Sequence, residues 1–111
     1  MLRYLALIAS LVAVFFLAAA CKNLGPTPVP YSCESGTSLE VQYPTDQTAF
    51  VYYDGKRHRL SRVISETGTR FSDARIEWHT QGSGPGSTGI LSRIEDREVQ
   101  TPPIDTCTEG D

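Results

Sequence analysis

"TAFVYYDGKRHRL", residues 48–60, decides the fold. At its centre stands Asp54-Gly55, a pair suited to a type I′ turn because both positions must take positive φ. Aromatic and β-branched residues precede the pair and a charged run follows it, which fits two antiparallel strands joined by a tight hairpin. Upstream, "TSLEVQY" (37–43) alternates, with Leu39, Val41 and Tyr43 on one face and Ser38, Glu40 and Gln42 on the other. Downstream, "ARIEWHTQ" (74–81) alternates again. Its period sends Ile76, Trp78 and Thr80 inward and Arg75, Glu77, His79 and Gln81 to solvent. "GSGPGSTG" (82–89) reads as a flexible loop, and "ILSRI" (90–94) and "REVQT" (97–101) as weaker strands. No stretch beyond residue 30 sustains a helical period. The expectation is an all-β domain, a small antiparallel β-barrel of about eight strands, because closure removes exposed edges.

The N-terminus sets the address. Arg3 precedes an uncharged run, "YLALIASLVAVFFLAAA" (4–20), that leads through Ala18, Ala19 and Ala20 into Cys21. One basic residue, an apolar stretch and small residues before a cut point form a secretory signal, expected over residues 1–20. The cysteine directly after it resembles a bacterial lipobox, with Cys21 lipidated as the first mature residue. A membrane-spanning helix is the alternative, but these residues at ~1.5 Å rise span ~25 Å, short of the ~30 Å hydrocarbon core. Lys22 after the cysteine resembles the Gram-negative pattern for outer-membrane sorting. Residues 21–30 then form a lipidated, proline-rich tether, "CKNLGPTPVP". Residues 31–111 form the domain.

There are three cysteines, an awkward count for an exported chain. Assigning Cys21 to lipid leaves Cys33 and Cys107, which an oxidising compartment should pair. A thiol nucleophile or a metal site is the sharper alternative, though no ligand cluster accompanies either cysteine; no metal or cofactor is expected. Removing Arg3 leaves 9 Lys/Arg against 13 Asp/Glu, a formal −4. That balance argues against nucleic acid and favours a cationic partner.

Catalytic constellations are scarce. His58 and His79 could join Ser65 and Asp73 on paper as a hydrolase triad, yet no strained elbow or oxyanion hole accompanies them. The carboxylates are scattered, and "GSGPGSTG" lacks the lysine of a phosphate cradle. A non-enzyme is expected. "VISETGTRFSD" (63–73) is the stretch left to explain: either a plain turn between strands or a finger shaped to enter a partner.

Taken in order, "YSCESGTSLEVQY", "AFVYYDG", "RLSRVISETGTRFSD", "WHTQG" and a late cysteine resemble the membrane-bound and periplasmic inhibitors of c-type lysozyme (the MliC/PliC family). The resemblance spans Tyr31 to Cys107. It implies an eight-stranded barrel, one disulfide and, in the membrane-bound members, lipid anchoring in the outer membrane. In that family a loop with S-G-x-x-Y inserts into the lysozyme cleft, and a lysine in K-G-x-x-A supports it, each meeting one catalytic carboxyl. The loop here falls on Thr67, Gly68, Thr69, Arg70 and Phe71, and the lysine position on Gln81, before Gly82. Thr67 keeps a hydroxyl, Phe71 loses one, and Gln81 donates without charge. Replacing a charge-assisted hydrogen bond by a neutral one costs about 1–2 kcal/mol, roughly five- to thirty-fold in affinity. Arg70 is the candidate for supplying the missing charge. An adhesive or surface-binding lipoprotein on the same barrel, with another partner, is the alternative.

Overall fold

The structure, a computed structural model, describes residues 27–110. The expected signal segment and Cys21 lie outside them. Nine strands follow in chain order: β1 (Val29–Cys33), β2 (Ser38–Thr45), β3 (Thr48–Tyr53), β4 (Lys56–Val63), β5 (Thr69–Ser72), β6 (Ile76–Gln81), β7 (Thr88–Glu95), β8 (Glu98–Val99) and β9 (Asp105–Glu109). All pairings are antiparallel, in the order β6-β5-β4-β3-β2-β1-β9-β7. β7 then pairs with β6, closing an eight-stranded barrel, while β8 is a short flap on β7 alone. Among the described residues, barrel strands and buried core alike lie between Val29 and Glu109, and these residues close the barrel by themselves.

The hairpin reading holds. Asp54 and Gly55 take φ of 53° and 70°, and β3 and β4 pair from Tyr53↔Lys56 to Thr48↔Ser61. On β2, Leu39 and Val41 are buried, while Ser38 and Glu40 stand exposed. A second two-residue turn, Asp96-Arg97, also has positive φ at both positions. It confines β8 to Glu98–Val99, shorter than "REVQT" suggested; Pro102 and Pro103 follow and lack backbone N–H groups to extend the ladder.

Trp78 is fully buried at the centre of the core, edge-on to Tyr31 with ring centroids 4.9 Å apart. Its room comes from Gly89. A Cβ there would stand 2.3 Å from Cη2 and Cζ2 of the indole, so any side chain would collide with the ring. Gly89 and Thr88 therefore belong to strand β7, not to the glycine-rich loop in which the sequence placed them. At the other end of the domain, β1 also starts earlier than expected. Val29 and Pro30 pair with Val41 and Glu40, inside the segment expected as tether. Pro30 donates nothing, but its carbonyl accepts from Gly110 N at 2.9 Å.

Cys33 and Cys107 face each other across β1 and β9 and form the disulfide, spanning 74 residues. Closing a loop of that length contributes roughly 4.5 kcal/mol on a chain-entropy estimate, a large share of the stability of a small domain. Both sulfurs are thereby taken, leaving neither thiolate free to ligate a metal.

β6 departs from its alternation. Ile76 and Trp78 are inward as expected, but Glu77 (6% exposed) and His79 (9%) are buried too, although both were expected in solvent. Arg70 on β5 pairs with Glu77, and the segment leading into β5 sets the Thr67 carbonyl on His79, an approach no local period reveals.

Candidate functional site

One end of the barrel gathers the β2–β3 turn, the start of β1, the end of β9 and two longer connections, residues 64–68 and 82–87. Antiparallel pairing explains the meeting of those two. Thr69 opens β5 opposite Thr80 near the end of β6, so the chain before β5 lies beside the chain after β6. Gly68 takes φ +62°, and a Cβ there would stand 2.1 Å from Thr80 O and 3.1 Å from both Gln81 Cγ and His79 Nε2. Only glycine permits this approach. It brings Thr67-Gly68 and Gln81-Gly82, far apart in sequence, to one exposed surface.

The 64–68 connection is held from several sides. Ser65 Oγ donates to Thr67 O at 2.5 Å and accepts from Thr67 N at 3.2 Å, a local hydroxyl turn. Thr67 O also meets His79 Nε2 at 2.8 Å; a carbonyl can only accept, so Nε2 carries the proton. Arg70 Nε donates to Ser65 Oγ at 3.1 Å, and its Nη1 donates to Glu77 Oε2 at 2.9 Å. Arg70 and Glu77 make an ion pair whose carboxylate side is almost wholly covered. Ser65, Glu77 and His79 are thus the supports that the sequence reading did not assign. The Ser-x-Thr spacing was a signal for the first; the other two were hidden behind an outward-looking alternation.

The expected site residues divide accordingly. Thr67, Gly68, Gln81 and Gly82 are exposed together. The Thr67 hydroxyl and the Gln81 carboxamide make no hydrogen bond among the described residues. Thr69 turns toward the barrel mouth. Phe71 is buried at 3% exposure against Tyr43, with centroids 5.7 Å apart, so it anchors the base of the loop and is not offered to a partner. Arg70 spends its charge on Glu77 and braces the loop, which weakens its candidacy as the missing cation. The connection 82–87 is tied down as well: Gly86 N donates to Glu109 O at 2.9 Å and Glu109 N to Ser87 O at 2.8 Å.

Between these loops opens a mouth of about 350 Å³, lined in part by Tyr31, Tyr43, Thr69, Phe71, Thr80 and Glu109. Trp78 Nε1 donates to Tyr43 Oη at 2.9 Å, and an ordinary hydrogen bond, in which either phenol can donate, joins the Tyr43 and Tyr31 hydroxyls 3.1 Å apart. Burial pushes both phenols above their ordinary pKa; for Tyr31 the Tyr43 hydrogen bond adds to it. Both stay neutral and close the floor of the mouth.

The triad arranged on paper does not assemble. Asp73 Oδ1 caps the β5–β6 turn by accepting from Arg75 N at 2.6 Å and Ile76 N at 2.8 Å. Ser65 and His79 serve the loop, and His58 sits on β4 beside Tyr53, near the opposite hairpin.

Residues 31–100 match the family model described as the membrane-bound lysozyme-inhibitor of c-type lysozyme, and the chain belongs to that family. No curated protein and no solved structure matches the chain significantly.

Proposed function

We propose that this member of the family inhibits a c-type lysozyme by inserting the 64–68 connection into the enzyme's active-site cleft. The observation that carries the reading is the packing of Gly68 on Thr80 and Gln81, which brings exposed Thr67 on the braced loop and exposed Gln81 at the end of β6 to the same end of the barrel. Lysozyme-type glycosidases work with two carboxyl groups flanking the scissile bond. The Thr67 hydroxyl and the Gln81 carboxamide are donors of suitable type for such a pair, offered from neighbouring positions. The glycine lets the connection lie directly against the end of β6, where any side chain would collide with Thr80 O. Because Ser65, His79, Arg70 and Glu77 already hold the loop, little conformational entropy remains to be lost on binding.

Arg70 acts here as a brace. Its guanidinium is committed to Glu77 and Ser65, so the electrostatic contribution to the enzyme's carboxyls comes from neutral donors and is correspondingly modest. Lipid on Cys21 would tether the domain to the outer membrane; the family's membrane-bound description supports this placement, as does the small-residue run leading into that cysteine.

The test is lysis of bacterial cell walls by a c-type lysozyme in the presence of the domain from residue 27 onward. A dose-dependent slowing is expected. A flat dose response would move the case to a surface-binding lipoprotein with another partner, the reading that the Gln81 and Thr67 departures favour.

A further inference from the structure

Among the described residues four large apolar side chains stand exposed, and three of them, Tyr52, Val63 and Ile64, lie on β3, at the end of β4 and just beyond it. Ala49 and Val51 point inward on β3, which turns Phe50 and Tyr52 outward. Leu60 points inward on β4, which turns Arg57, Arg59 and Val63 outward. The register sets Tyr52 opposite Arg57 and Phe50 opposite Arg59, and the Arg57 guanidinium lies 4.6 Å above the Phe50 ring. Neither Arg57 nor Arg59 has an ion-pair partner among the described residues. The neighbouring strands add Glu40 opposite Tyr52 and the Glu77-paired Arg70 opposite Val63. Of the four Lys/Arg in "KRHRLSR" (56–62), Arg57 and Arg59 stand on this outer face, in a chain whose formal charge is −3.

We propose that the outer face of β3 and β4 is a membrane-contact surface that lays the barrel sideways on the phosphate headgroups of an anionic bilayer. Unpaired guanidiniums match phosphate oxygens, through two parallel hydrogen bonds where geometry allows. Exposed aromatic rings favour the headgroup level, where one edge is wet and the other apolar. Val63, at the end of β4, supplies apolar surface that a soluble polyanion would leave in water and an acyl boundary would cover. This combination of charge, rings and an aliphatic side chain selects a bilayer over other polyanions. Reach is compatible: the eight residues from Cys21 to Val29 span at most about 28 Å, so a lipid on Cys21 keeps the barrel wall within range of the surface. The inference concerns the barrel wall and does not depend on lysozyme being the partner of the mouth loops.

The experiment uses the domain from residue 27 onward, which lacks Cys21, and sediments it with phosphatidylcholine vesicles that contain or lack phosphatidylglycerol. Binding to the anionic vesicles is expected, falling with added salt. Arg57→Gln/Arg59→Gln should weaken it about thirty-fold, the order expected for two cationic side chains at an anionic surface, while Arg57→Lys/Arg59→Lys retains most of it. Thermal melting of both variants checks the fold, and the salt dependence of the unmodified domain needs no variant at all. Equal binding to neutral vesicles, undiminished binding by a folded Gln variant, or capture by inorganic polyphosphate but not by vesicles would each overturn the proposal.

Discussion

Gly68→Ala is the sharpest perturbation of the loop. The glycine sits at φ +62°, a conformation that costs an L-residue roughly 1–2 kcal/mol. The added methyl would also stand 2.1 Å from Thr80 O, a distance real carbon and oxygen atoms do not share, so the loop or the end of β6 must move. Lifting the loop breaks the 2.8 Å contact between His79 Nε2 and Thr67 O, worth about 0.5–1.5 kcal/mol net. The total is about 1.5–3.5 kcal/mol, which at ~4–8 °C per kcal/mol lowers Tm by about 6–28 °C if both costs are incurred. If the loop lifts and relaxes, Tm falls less, but Thr67 leaves Gln81. Inhibition of lysozyme should weaken by about tenfold or more on either route, equivalent to ~1.4 kcal/mol. Gly55→Ala is the control. Gly55 has φ +70° but open space around its Cβ position, and it lies in the hairpin turn at the far end of the barrel. Its strain should lower Tm modestly and leave inhibition unchanged. If Gly68→Ala melts and inhibits like the unmodified domain, the close-approach reasoning is refuted.

Gln81→Lys should tighten inhibition about tenfold by restoring a charge-assisted donor beside Gly68; an unchanged inhibition constant would place residue 81 outside the interface. Gly89→Ala drives a methyl into Trp78, and overpacking of this kind costs about 1–3 kcal/mol, read as a lower urea midpoint with a shifted indole fluorescence. Alkaline stability follows from the two buried phenols. The folded pKa values of Tyr31 and Tyr43 lie above the ordinary 10.0, so above about pH 10 the unfolded chain releases protons that the folded one keeps. Their contribution is therefore fully present below pH 10 and is lost as pH rises beyond it. A denaturant series across that range should show falling stability; a flat profile would contradict the burial of the pair.

Local rules reached far into the fold. Alternation on β2 and the Asp54-Gly55 turn were legible because each depends on neighbours in sequence. The two halves of the candidate site, Thr67-Gly68 and Gln81-Gly82, were legible only through resemblance, since what unites them is the register of β5 against β6. Glu77 and His79 misled because burial of the outer face of β6 comes from a connection that follows β4, not from anything periodic in β6 itself. Gly89 hid inside a glycine-rich stretch, and its reason is an indole eleven residues upstream that becomes a neighbour only when β6 and β7 pair. Phe71 shows the converse. Its place in a loop motif suggested presentation, whereas its strand parity carried it into the core.

The central claim is that the braced 64–68 connection occupies the groove where substrate binds. Steady-state kinetics of a c-type lysozyme on a soluble chitin oligosaccharide, measured at several concentrations of the domain, test it directly. The account predicts competitive inhibition: apparent KM rises with inhibitor while kcat stays constant. A fall in kcat at unchanged KM, or no effect at any concentration, would contradict it.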